Sequence, residues 1–284
     1  MLFPDFFIPG APKAGTTTLA LWLATHPQVS FSVPKEPRYF NKDFSLYGRP
    51  ENLEEYLSLF PPKPDGGLRG EATTSYLASD VAIDHILELN PNAKFIVCLR
   101  DPRQLFISLH RQRLKEGYET LMHPQEAWNV IDARMQGLDL PLGCPDPQLL
   151  NYARFVKIGD QLEELFSKVK RSNVLCLLSE DLEQDPQKSF DAVCRFLGIS
   201  KHHIDHTKRA NQARIPKSVM IARLLRLVGL LKQRLGITRN LGIASVLNSV
   251  NLKPPTKEIV PLLADSLLIE LEGQYNKAKE VSRG

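Results

Sequence analysis

No stretch of this 284-residue chain approaches the ~18–20 consecutive apolar residues that a membrane span needs. The first apolar run begins at Leu2 with no basic leader before it, so no secretory signal is expected. An N-x-S/T acceptor for glycosylation is missing throughout. Cysteine is scarce: Cys98, Cys144, Cys176 and Cys194 form no C-x-x-C pair, and three of them lie in apolar runs. Buried, reduced thiols are the reading such cysteines favour, which argues against a disulfide framework. Together these absences lead us to expect a soluble protein of a reducing compartment, the cytoplasm. Internal repeats and low-complexity tracts are also lacking. Acid is absent from one long segment: residues 208–239 hold nine Lys or Arg and no Asp or Glu, so the formal +4 of the chain becomes −5 for the remainder. The basicity is local and late.

What is present begins with Phe6-Phe7-Ile8, a short apolar run closed by Pro9-Gly10, then a loop to Gly15 and a helical pattern from Thr16 to about His26. A second strand-then-helix unit follows: KFIVCL from Lys94, then Asp101-Pro102 as N-cap and first-turn proline of a helix running towards Lys115. The third is NVLCLL from Asn173, then Asp185-Pro186 and SFDAVCRFLG, closed by Gly198. Near-continuous apolar strands alternating with helices argue for an α/β protein with a mainly parallel sheet covered on both faces. Two irregular stretches, 41–70 and 117–148, would emerge at the strands' carboxyl ends, where variable site loops collect. Helices are expected over about Pro216–Leu235 and Val260–Ala278, separated by Pro254-Pro255.

Chemistry concentrates first in Gly10-Ala-Pro-Lys-Ala-Gly15-Thr16-Thr17. The glycine spacing is that of a phosphate-cradling loop, with backbone N–H groups and a helix N-terminus around an anion. A nucleoside-triphosphate loop places Lys after the second glycine and a hydroxyl next to it for Mg²⁺. Here Thr16 follows Gly15, and the lysine stands earlier, at position 13. A plain glycine turn would explain Gly10 and Gly15 but not Pro12-Lys13 or the threonines 16–18. A nucleotide kinase would also want a metal-binding Asp at the end of a neighbouring strand, whereas KFIVCL ends in Arg100.

With PKAGTTTL and FIVCLRDPRQLFISLHR on view, the chain resembles the sulfotransferases that use 3′-phosphoadenosine 5′-phosphosulfate (PAPS), nearest in motif to the glycan branch and its bacterial relatives. The resemblance implies a P-loop-like, three-layer domain with a central, mainly parallel sheet of about four or five strands. It implies that Lys13, Ala14, Gly15, Thr16, Thr17 and Thr18 hold the 5′-phosphosulfate, with Lys13 also catalytic. Arg100 and Ser108, eight residues apart, would hold the 3′-phosphate, with Arg103 a further surface contact. In VPKEPRYFN, Glu36 matches the general base of the glycan enzymes; Lys35 and Arg38 would keep it ionised or simply pair with it. His110 is the second choice for that role. GEATTSYL resembles a family segment in which Ala72 stands where the glycan enzymes carry lysine; Glu71 either supports the site or pairs structurally. Tyr152 matches a recurrent tyrosine without an assigned role. Within KRANQARIPKS, Arg214 and Lys217 are the candidates for a late basic loop over the 3′-phosphate, with Lys208 and Arg209 as alternatives.

The expectation is therefore a single sulfotransferase domain over 1–284: a nucleotide-binding α/β core to residue 215 and a C-terminal helical extension over 216–284. It would move a sulfuryl group from PAPS to a hydroxyl or amine, leaving 3′-phosphoadenosine 5′-phosphate (PAP) and needing no metal. The expected acceptor is a carbohydrate or glycolipid, with a lipid or acyl hydroxyl as alternative; a non-enzymatic PAP-binding module is the other class of reading. No nucleic acid is expected as partner. The stretch 216–235, apolar with interspersed arginines, reads as a packed helix or a peripheral membrane contact.

Overall fold

The computed structural model describes residues 3–45, 48–205, 215–234, 250–253 and 262–283. The run Phe6–Gly10 (β1) is buried at every position, which a strand satisfies only when both its faces are covered. Around it stand β2 (Val29–Phe31), β3 (Leu68–Ala72), β4 (Lys94–Leu99) and β5 (Val174–Leu178) in the order β2-β3-β1-β4-β5. Every pairing in this five-stranded sheet is parallel, with Ile8 beside Ala72 on one side of β1 and Phe7 beside Phe95 on the other. Helices flank the sheet, as the alternating pattern implies. Two strands were hidden from the sequence. β2 is three residues long, and β3 reads LRGEA, with no apolar run to announce it. Gly70 is required there by packing, since a Cβ would lie 2.0 Å from the Phe6 ring.

Two compact units partition the chain. The first comprises Met1–Leu105, Lys157–Ala210 and Leu271–Gly284 and contains the sheet. Its helix ends follow the expected chemistry. Asp101 Oδ1 accepts from Arg103 N at 2.8 Å, Asp185 Oδ1 accepts from Lys188 N at 3.1 Å, and the helix Pro186–Leu197 stops at Gly198 in the left-handed region (φ 78°). All four cysteines of the chain are free thiols, and burial raises Cys98 to about 12 and Cys176 to about 11.

The second unit comprises Phe106–Val156 and Asn211–Glu270. At its centre a buried ion pair joins Glu119 to both terminal nitrogens of Arg134 at 2.7 and 2.8 Å. Tyr152 donates its hydroxyl to the same carboxylate at 2.9 Å, and the amides of Thr120 and Leu121 complete its shell. Tyr152 is thus part of a structural knot in this chain. Helices Pro124–Asn129 and Ile131–Met135 occupy ground the sequence marks as irregular. The two expected C-terminal helices run Val219–Arg234 and Asp265–Arg283; a start at Val260 falls outside the described residues.

Candidate active site

Three adjacent strands, β3, β1 and β4, deliver their carboxyl ends side by side, and each end carries a charged candidate. From β1 the chain passes through Ala11–Gly15 into the helix Thr16–Ala24. Gly15 stands at its N-cap with φ 87° and offers no side chain to the first-turn amides of Thr16, Thr17 and Thr18. No acidic residue sits in that turn. Unsatisfied donors and the positive end of a helix dipole, with no competing carboxylate, are what an anion requires. Ala14 and Thr16 are buried, while Thr17 and Thr18 are half-buried.

Arg100 leaves the end of β4 and turns back to this loop. Its Nη1 donates to the Lys13 carbonyl at 2.6 Å, and its Nε and Nη2 reach Gln104 Oε1 at 3.4 and 3.2 Å. Two motifs 87 residues apart are thereby joined, and Arg100 pairs with neither Asp101 nor Glu71. The helix Pro102–Glu116 then carries Ser108 two turns on, half-buried, its hydroxyl engaging no protein group among the described residues.

Glu36 hangs from the end of β3: its amide donates to the Ala72 carbonyl at 3.0 Å. Its carboxylate is clasped from three sides, by Lys35 Nζ at 3.0 Å, Arg38 Nη2 at 3.0 Å and Thr74 Oγ1 at 3.2 Å. Burial, the largest single influence, pushes the carboxyl up, but the charges and hydrogen bonds of Lys35 and Arg38 reverse this and hold it at about 2. Sequence reasoning misses Thr74 and Gln104; the only clue to Thr74 is a hydroxyl close after the end of β3. The loop is stitched further by Arg38 N to Thr73 Oγ1 (3.2 Å) and by Tyr39 N to the Tyr76 hydroxyl (3.0 Å).

Backbone strain marks the same places. Among the described residues, four that are not glycine have positive φ, and three of them are Lys13 (64°), Glu36 (63°) and Arg38 (59°). Such angles cost about 1–3 kcal/mol each and persist where the surroundings impose them, commonly in sites.

Glu71, next to Ala72, is wholly buried. One carboxylate oxygen accepts from the Tyr56 hydroxyl at 2.7 Å and the other has no hydrogen-bond partner among the described residues. Burial is the main cause that raises it to about 7, with the Glu36 charge adding to the effect. His110 is buried in the second unit with Nε2 3.0 Å from the Leu121 carbonyl, and burial lowers it to about 4. Lys217 is exposed in the second unit, its amide bonded to the Asn251 carbonyl at 2.5 Å. Arg214, Lys208 and Arg209 lie outside the described residues.

A family model described as a sulfotransferase domain matches residues 3–214. The chain belongs to that family. Among curated relatives of this sulfotransferase, heparan sulfate glucosamine 3-O-sulfotransferase 6 of Mus musculus is 32% identical over 210 residues, which cover 70% of this chain and 53% of that protein. The 3-O-sulfotransferase 3A1 of Mus musculus is 26% identical over 74% of the chain and 50% of its own length. Membrane-associated sulfotransferase kil1 of Dictyostelium discoideum is 31% identical over 48% of the chain and 31% of its own. The sulfotransferase thus spans about half or less of these relatives' lengths. A solved sulfotransferase from Alicyclobacillus acidocaldarius superposes with TM-score 0.64 at 22% identity, covering 86% of this chain and 99% of that one, a likeness of fold.

Proposed function

We propose that this sulfotransferase transfers a sulfuryl group from PAPS to an acceptor hydroxyl or amine, with Lys13 and Glu36 as catalytic residues. The observation that carries the reading is the convergence of Lys13, Glu36 and Arg100 on the carboxyl ends of β1, β3 and β4, three neighbouring parallel strands. In the proposed step the acceptor oxygen attacks sulfur and its proton passes to the Glu36 carboxylate. The bond from sulfur to the phosphate oxygen breaks, and its electron pair goes to that oxygen. Lys13 meets this growing charge, so its help is greater in the transition state than in the ground state. The amides of Gly15, Thr16, Thr17 and Thr18, flanked by Ala14, would take the phosphosulfate; Arg100 and Ser108, with Arg214 or Lys217, would take the 3′-phosphate. Lys35 and Arg38 keep Glu36 ionised but weakly basic, and an acceptor that draws either cation away would raise its basicity as the proton arrives.

The acceptor we favour is a carbohydrate or glycolipid, supported by VPKEPRYFN and by similarity to enzymes named for heparan sulfate. Against it stands Ala72, buried where the glycan branch carries lysine, which keeps a lipid or acyl hydroxyl as the second reading. We propose further that residues 1–284 act as one functional domain, that protein cations make a metal unnecessary, and that the free thiols suit the cytoplasm. The test is incubation with radiolabelled PAPS, without Mg²⁺, against oligosaccharides, glycolipids, phenols and acyl carriers. Glu36→Gln is expected to lower transfer by about 10²–10⁴-fold while PAP binding stays normal. Full-rate transfer by that variant would overturn Glu36 as base, and labelling that required ATP and Mg²⁺ would overturn the donor.

A further inference from the structure

The helix Val219–Arg234 has two unlike faces. One packs within its own unit. Ala222 is buried, with its backbone against Gly117, where a Cβ would lie 2.8 Å from the Ala222 carbonyl. Arg226 turns the same way, its Nε 3.3 Å from the Gly143 carbonyl and its guanidinium 5.0 Å from the centre of the Tyr118 ring. The opposite face is apolar and open: Met220 is 81% exposed, Leu224 62% and Leu231 58%, with Ile221 and Val228 between them. At about 100° per residue these five positions share an arc of about 100°, a continuous stripe. Lys217 is exposed just ahead of the helix, and the half-buried Arg223 borders the stripe on one side.

We propose that this stripe docks the protein on the surface of an anionic phospholipid bilayer, the helix lying in the interface. The charge pattern selects that occupant. Residues 208–239 contain nine Lys or Arg and no acid. A second copy meeting the same face across a two-fold axis would bring cation to cation. An anionic bilayer supplies both the apolar layer and the opposite charge. The proposal rests on this helix alone and does not depend on the donor or acceptor.

The experiment is co-sedimentation of the full chain with vesicles of phosphatidylcholine alone or with roughly 30% phosphatidylserine. Binding to the anionic vesicles is expected to be at least ~10-fold stronger and to weaken as salt rises. Leu224→Glu with Leu231→Glu is expected to lower it by at least ~10-fold with an unchanged melting temperature, because both side chains are exposed. If that pair fails to fold, Leu224→Ser alone is read in the same assay. Equal binding to both vesicles, no binding, or anionic binding untouched by the leucine substitutions overturns the proposal. So does a concentration-dependent dimer in sedimentation velocity that the substitutions abolish while vesicles go unbound.

Discussion

Lys13 holds a left-handed backbone angle, which puts its side chain on a turn that Arg100 braces by its carbonyl. In the proposed reaction the charge that develops on the leaving phosphate would meet this lysine, and preorganised charge is usually the greatest single contribution to catalysis. Lys13→Met is therefore expected to lower transfer by about 10²–10³-fold, with PAP affinity changed far less; a loss under about tenfold would remove Lys13 from the chemistry. Glu36 and Glu71 give opposite pH signatures. The Glu36 carboxyl lies at about 2 in the fold against an ordinary 4.5, so its contribution to stability is complete above 4.5 and is lost as pH falls towards 2. Glu71 lies at about 7 against 4.5, so the folded chain retains a proton that the unfolded chain has released, and stability falls as pH rises from 4.5 to 7. Glu71→Gln should then stabilise the protein, by about 3 kcal/mol above pH 7 and by nothing resolvable near pH 4.5. Chemical denaturation at pH 5 and pH 8 checks the sign; a gain that is equal at both would show Glu71 to be ionised throughout.

At the scale of elements, β1 and β4 were legible because buried parallel strands are apolar at nearly every position, and β5, a half-buried edge strand, because its five residues are all apolar. β3 was not. Its Arg69, Gly70 and Glu71 look like a loop, and only the Phe6 ring lying over Gly70 and the pairing with β1 make them a strand. The same blindness covered Thr74, whose grip on Glu36 depends on β3 being there. In the second unit, Glu119 comes from a loop and Arg134 and Tyr152 from two separate helices, at a spacing that carries no periodic pattern. Tyr152→Phe removes one of several bonds to Glu119 while Arg134 remains, so the expected cost is about 1–2 kcal/mol in urea unfolding at unchanged slope. A cost near zero would mean that Arg134 and the two amides satisfy the carboxylate without it.

Across the whole molecule, local chemistry sufficed for the loop and for the three units of strand followed by helix. Gly10, Lys13 and Gly15 carry the spacing on which the proposed anion site rests, Asp101 and Asp185 mark helix starts, and Gly198 marks a stop, because caps and tight turns are made by neighbours in the chain. What the tertiary structure alone decided is which of the charged residues meet. Strand order brings the ends of β3, β1 and β4 together, so Glu36 stands near the loop of Lys13, and Arg100 finds the Lys13 carbonyl rather than the adjacent Asp101. Burial, likewise, is a property of the fold: it is the surroundings of Glu36 and Glu71, thirty-five positions apart, that drive two identical carboxyls to about 2 and about 7.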